Sequence, residues 1–587
     1  MSKLTRQINE WREKHLNDTQ FLSIISIAIG ITAGIVAAVI KNAVHFIQYL
    51  LKADAIQTFQ HYAYFAYPLL GILLAVLFAR YIIRHNVGHG IPSVLYAISE
   101  DKGRIKKHNM FSSIITSAFT VGFGGSVGLE GPTVATGAAY GAHYGHLFHL
   151  SYKHRVILLG AASAGAMAAI FKAPITAIVF AVEVIMIDLT ATSLIPLLLA
   201  SISAILTSYY IMGPDVLYHF ELKELYKMSD LPLFALLGVL TGLVSLYFTK
   251  VYIFIQETFD KQKSWVKRWL GGGLILGVLV FFFPALYGEG YEVINEALSG
   301  HYNYVHEISF FNQLEGPYIL VLFLGLVILF KVVATSVTFG AGGVGGIFAP
   351  TLFIGANTGL IFSIVAQMLG YEVTPENFVL VAMAGAISGN LHAPLTAIFL
   401  IAEITGGYQL FVPLMLVATI SYLTTRIFVK NSVYTVQLAR RGQLMTHHTD
   451  KNILKLLDVN DLIETDLKTI HPDGTLGDLV KLIANSERNV FPVVDEDGTL
   501  RGIVTMSDVR KMIFKPELYD KIKMRDIMFI PDIKVAPGEK MSEIVQKFQN
   551  NGVYNIPVVD NGKYLGFISR ANIFSAYRKM LQEFSTD

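Results

Sequence analysis

Gly124-Gly125-Ser126-Val127-Gly128-Leu129-Glu130-Gly131-Pro132-Thr133 decides how this chain is read. One carboxylate sits among glycines in an otherwise apolar neighbourhood. Glycines leave backbone N–H groups uncovered, and Pro132 suits the first turn of a helix, where no amide partner is required. A helix start offers free N–H groups and a partial positive charge, so it favours an anion. Glu130, placed there, is itself an anion that competes with a soluble one, as a gate would. The stretch returns as Gly342-Gly343-Val344-Gly345-Gly346-Ile347-Phe348-Ala349-Pro350-Thr351. At nearly the same offset KAPITAIVFAVE, residues 172–183, returns as HAPLTAIFLIAE, residues 392–403. Two ordered pairs divide this part of the chain into homologous halves with short, interrupted helices at matching places. Such pairs put a binding site near the bilayer midplane.

Composition supplies the bilayer. Mean hydropathy is +0.51, 53% of residues are hydrophobic and 15% are charged, far from the balance of an ordinary soluble domain. Charge thins out over the first 450 residues and crowds into residues 451–587, which predicts lipid around the first part and water around the second. Apolar runs long enough to span are Phe21–Ile40, Tyr67–Ile83, Ser193–Met212, Pro232–Ile255, Gly271–Leu286 and Tyr318–Val337, with more between Phe348 and Val429. Lys3, Arg6, Arg12 and Lys14 precede the first run, and Arg80, Arg84, Arg104, Lys106 and Lys107 follow the second. This bias places both termini in the cytoplasm of a multi-pass protein of the inner or plasma membrane. A net charge of +2 gives no reason to expect nucleic acid, and the absence of cysteine removes thiolate metal sites and disulfides. The motifs contain neither a metal cluster nor a nucleophile–base pair, so no enzyme and no required cofactor is expected.

Gly88-His89-Gly90-Ile91-Pro92, Gly128-Leu129-Glu130-Gly131-Pro132 and Gly346-Ile347-Phe348-Ala349-Pro350, followed by Tyr434, resemble the anion-selectivity motifs of the CLC family of chloride channels and chloride/proton exchangers. The resemblance implies an α-helical polytopic fold of two inverted repeats, and a homodimer with one pathway per subunit. It implies that chloride or a similar monovalent anion is held at Gly88, His89, Gly90, the amides of Ile347 and Phe348, and the Tyr434 hydroxyl. Glu130 becomes the gating glutamate. His89 stands where chloride-selective members often carry serine, and Leu129 where many carry a basic residue. Val184 stands where the family's exchangers usually carry the glutamate that handles protons from inside, which points to passive conduction, with chloride/proton exchange as the alternative. Glu183 and Glu403 occupy equivalent places in the halves, and the repeat predicts a packing or capping role for both.

The tail repeats too. PVVDEDGTLRGIVTMSDVRKMI, residues 492–513, recurs as PVVDNGKYLGFISRANIFSAYR, residues 557–578, each copy reading strand, turn, strand, helix. The pair resembles tandem CBS domains, an α/β regulatory module. The expected division is a segment 1–20, a transport domain 21–445, and CBS domains at 446–520 and 521–587. Thr505 with Asp508, and Ser569 with Asn572, stand where the resemblance implies an adenine nucleotide's ribose, the second site weakened by Asn in place of Asp. A sensor whose membrane part is only an anchor is the remaining reading.

Overall fold

The computed structural model describes residues 12, 14–51, 60–85, 87–88, 90–185, 190–213, 226–311, 313, 316–440 and 457–585. Contacts divide the chain into residues 1–444 and residues 445–587. Among the described residues of the first unit, 9 helices are long and apolar enough to cross a membrane. Every apolar run read from the sequence falls in this set. One is shifted: the run at Gly271–Leu286 is a helix over Trp265–Phe282, and a single 3₁₀ turn follows at Pro284–Leu286.

The repeat organises what lies between the long helices. Glu130–Leu147 and Phe348–Met368 are mates, as are Tyr152–Phe171 and Pro375–Leu391, and the short helices Pro174–Glu183 and Pro394–Ile404. Lys172 and His392 end the second pair in the left-handed region, with φ of 57° and 56°, and Pro174 and Pro394 then restart the chain. A proline at a helix start loses no hydrogen bond, because the first amides have no intrahelical acceptor.

The remaining amides of those starts find their partners across the repeat. Glu403 accepts from the N–H of Ile175 at 3.0 Å, and from the N–H and hydroxyl of Thr176 at 2.8 and 2.6 Å. Glu183 accepts from the N–H of Leu395 at 3.1 Å, and from the N–H and hydroxyl of Thr396 at 2.8 and 2.7 Å. Each carboxylate ends one short helix and caps the start of the other, so the two helices run antiparallel and the halves are related by inversion. The capping role expected of Glu183 and Glu403 is what the structure places there.

The tail is also built by exchange. Val490–Val494 pairs antiparallel with Leu500–Thr505, and Asn555–Asp560 with Lys563–Ser569, each hairpin carrying an irregularity at the same place, Val493/Val494 and Val558/Val559. Ile470 and Val535 add parallel bridges to their own hairpins, whereas Glu464 bridges to Phe567 and Phe529 to Ile503. The residue ahead of each copy thus closes the sheet of the other copy, making one unit of two lobes. Their cores centre on Leu476, Phe491 and Val504, and on Ile544, Val558 and Ile568.

Glu183→Ala and Glu403→Ala each strip a helix start of its charged acceptor. Each substitution is expected to destabilise the detergent-solubilised protein by about 2–3 kcal/mol, the scale of hydrogen bonds to a charged group. Thermal unfolding followed by tryptophan fluorescence checks this, with closely similar losses for the two because they are repeat mates.

Candidate anion site

Three helix starts and one hydroxyl meet around a small buried cavity, lined by Ile91, Pro92, Gly131, Gly345, Gly346, Ile347, Tyr252, Phe339, Val433 and Tyr434. Two of the starts are locked together by the backbone. The Gly128 N–H donates to the Gly346 carbonyl at 2.8 Å, and the Gly346 N–H donates back to the Gly128 carbonyl at 2.7 Å. The third start arrives through Gly90, whose φ of 65° requires glycine, and a β-carbon there would lie 2.9 Å from the Cα of Gly131. Close backbone approach is why these motifs are glycine-rich.

Three donors at the cavity lack protein acceptors among the described residues. Ile347 is the N-cap of the helix that begins at Phe348, and neither N–H has an acceptor among the described residues. The Tyr434 hydroxyl, on a residue only 4% exposed, also has no hydrogen-bond partner among the described residues. A buried polar group without a partner costs about 1–3 kcal/mol, so a cluster of donors facing one cavity calls for an acceptor. An anion is such an acceptor.

Glu130 lies beside this cluster, buried at 1% exposure, at the first position of its helix. Its Oε1 accepts from the hydroxyl of Tyr291. Among the described residues its Oε2 has no hydrogen-bond partner, and it sits against Gly128, in the space a β-carbon there would fill. Tyr291 therefore holds the carboxylate through one of its oxygens.

Of the residues predicted from the motifs, Ile347, Phe348, Tyr434 and Glu130 come together here. Gly88 and Gly90 shape the turn into the Ile91–Ser99 helix, and the cavity wall beside them is made by Ile91 and Pro92. His89 lies outside the described residues. Val184, 5% exposed, follows the last residue of the Pro174–Glu183 helix and offers no titratable group.

Three residues at the site were not anticipated. Glu289 Oε1 accepts from the N–H of Leu129 at 3.1 Å, Tyr291 reaches Glu130, and Lys331, fully buried, donates to the Gly288 carbonyl at 3.0 Å. Signals for two of them were present. Lys331 is the only charge in the apolar helix Pro317–Gly340, and Glu289 is another carboxylate flanked by glycines.

In the tail, Asp508 Oδ2 accepts from the N–H and hydroxyl of Thr505 at 2.8 and 2.6 Å. Both of these bonds fall on the one oxygen. The mate site is occupied by its own protein: the Ser569 hydroxyl donates to Glu464, and the Asn572 amide donates to the Leu462 carbonyl at 3.1 Å. Arg488 pairs with Glu464 at 2.8 Å and with Asp466 at 2.7 Å, and its hydrogen bond to Asp466 holds that carboxyl below the usual range.

The profile of the voltage gated chloride channel family matches residues 70–426, and CBS domains match at 459–515 and 524–579. The chain belongs to the CLC family. It is a multi-pass membrane protein for anion transport with a tandem CBS tail. Among its relatives, the H(+)/Cl(-) exchange transporter ClcA of Vibrio cholerae is 28% identical over 439 residues, which are 71% of this chain and 88% of that protein. A putative chloride channel protein, ClcB-like, from Ralstonia nicotianae is 29% identical over 64% of this chain and 85% of its own. The fold is that of a slow cyanobacterial Cl−/H+ antiporter, with a TM-score of 0.60 at 21% identity over 73% of this chain and 98% of the other. It is also that of a eukaryotic CLC transporter, with a TM-score of 0.59 at 18% identity over 97% and 99%.

A chloride ion bound by these donors predicts an unusual outcome for Tyr434→Phe. Chloride affinity, measured by titration calorimetry, should fall about tenfold, the value of one hydrogen bond to an ion. Stability without chloride should not fall, because the hydroxyl bonds to no protein group.

Proposed function

We propose that the chain exchanges chloride for protons, with Glu130 as both gate and proton carrier. The observation that carries this reading is the seat of the Glu130 carboxylate, at a helix start beside the unpaired donors of Ile347, Phe348 and Tyr434. An anion entering that seat must displace the carboxylate, and a carboxyl leaves a cluster of N–H donors most readily once protonated. Each opening then takes up a proton. The similarity to exchange transporters supports coupling over the passive conduction that Val184 suggested. Val184 removes one acid from the inner side but leaves Glu130 itself. Glu183, fully engaged with Leu395 and Thr396, is no substitute for it, so water would serve the inner leg of the proton path. Passive conduction stays as the second reading on the strength of Val184. The subunit works as half of a homodimer in this proposal, with Ile175, Leu395 and Ile427 among the apolar side chains its surface leaves exposed.

Liposomes loaded with chloride and diluted into low chloride decide between the two. Exchange predicts uphill proton movement driven by the chloride gradient; chloride flux without proton movement establishes passive conduction. Glu130→Gln should keep chloride flux, lose its dependence on pH and lose proton movement. The tail, in the same proposal, regulates the pathway through an adenine nucleotide at Thr505 and Asp508. Asp508→Ala should weaken AMP or ATP binding by the full-length protein about tenfold in calorimetry, the value of one charged hydrogen bond. Absence of heat with AMP, ADP and ATP alike leaves the tail as a dimerisation module.

A further inference from the structure

The short segment Gly288–Tyr291 touches the Glu130 loop at two points, and neither contact is needed to hold an anion. Tyr291 donates to the Glu130 carboxylate, and Glu289 takes the amide of Leu129, the residue immediately before it. The segment is tied down from behind. Lys331 Nζ donates to the Gly288 carbonyl at 3.0 Å and lies 4.7 Å from the ring centre of Phe353, on the helix that opens with the anion-facing amides. Glu289 thus places a second carboxylate beside the gate, within a fully packed region where water screens little.

We infer that Glu289 is a positioning residue for the gate: it fixes the Leu129 amide and, through its charge, sets the pH at which Glu130 leaves its seat, with Lys331 as the counter-charge. This rests on the proposed role of Glu130. Among the described residues, the titratable groups that face Glu289 and Glu130 are few. Lys41 comes from the Asp18–Leu51 helix, Lys331 from Pro317–Gly340, Tyr291 from the start of its own helix, and Tyr434 from across the cavity. Two carboxylates close together oppose each other's ionisation, and a buried ammonium relieves that opposition. The sign follows. Removing the Glu289 charge lets Glu130 remain ionised, and seated, to lower pH. Removing the Lys331 charge has the opposite effect.

The test is the pH profile of chloride flux in liposomes for four proteins and their combinations. Glu289→Gln keeps an acceptor for the Leu129 amide and should move half-maximal flux to more acidic pH by about one unit, the size of a partly screened neighbouring charge. Lys331→Gln should move it to more alkaline pH by a similar amount. In the Glu130→Gln background neither substitution should alter the profile, because the group they act through no longer titrates. An unchanged midpoint in Glu289→Gln overturns the inference, as does a shift that persists without Glu130. If Glu130→Gln alone keeps the parent pH profile, the gate reading falls first, and that failure is separate from the other two. The opposite signs expected for Glu289 and Lys331 exclude a general loss of folding as the cause, since misfolding lowers flux at every pH.

Discussion

A helix start inside a membrane is a set of N–H groups with nothing to bond to. Water is absent, each orphaned donor costs on the order of 1–3 kcal/mol, and the first four amides of a helix have no acceptor in the helix itself. This chain begins several helices at such depth, and it answers the problem in two ways. At Pro174 and Pro394 the acceptor is permanent: a carboxylate with both oxygens bonded, to three donors in each case. At Ile347 and Phe348 no fixed acceptor is supplied, and the nearest carboxylate, Glu130, keeps one oxygen unbonded. The same physical need is therefore met by a structural cap in one place, while in the other the donors stay open beside a carboxylate.

The exchange of partners between repeats explains why both halves must be present. Neither short helix can satisfy its own start, and each is completed only by the glutamate of the other. The Gly128–Gly346 backbone pair does the same at the anion seat, fixing the two loops at hydrogen-bond distance so that the amides beyond them converge. The tail follows the same logic with strands, Glu464 and Phe529 each closing the sheet of the opposite copy. Two-fold exchange of this kind converts a sequence duplication into a single unit, because half a unit leaves backbone groups unpaired.

Much of this was legible in the sequence because it is carried by residues with narrow physical uses. Glycine beside a lone glutamate, proline at a helix start and a duplicated Ala-Pro-x-Thr-Ala each restrict the backbone, and the capping by Glu183 and Glu403 follows from their matching places. The surroundings of Glu130 were less legible. Tyr291, between Gly290 and Glu292, carries no pattern that marks it as the hydroxyl reaching the carboxylate, whereas Tyr434 was found through the family resemblance. Glu289 lies more than 150 residues from Leu129, and no periodicity connects them. Its glycine flanks and the solitary Lys331 were the available signs. In the first motif, Gly90 packs its backbone against Gly131 and Ile91 and Pro92 line the cavity wall.

Val184 is where sequence and similarity pull apart, and the structure gives that position a physical meaning. The residue beside it, Glu183, is committed to three hydrogen bonds at the start of the opposite helix, so its proton exchange would unpair two amides and a hydroxyl. An acid at 184 would stand just outside that commitment, free to titrate; valine leaves the end of this helix without such a group. In the proposed exchange, protons would reach Glu130 from the inner side by water. In such a pathway the coupling of chloride to protons is set less by a second acid than by the environment of the first. In the proposed function, the groups packed around Glu130 would then be where exchange and passive conduction diverge.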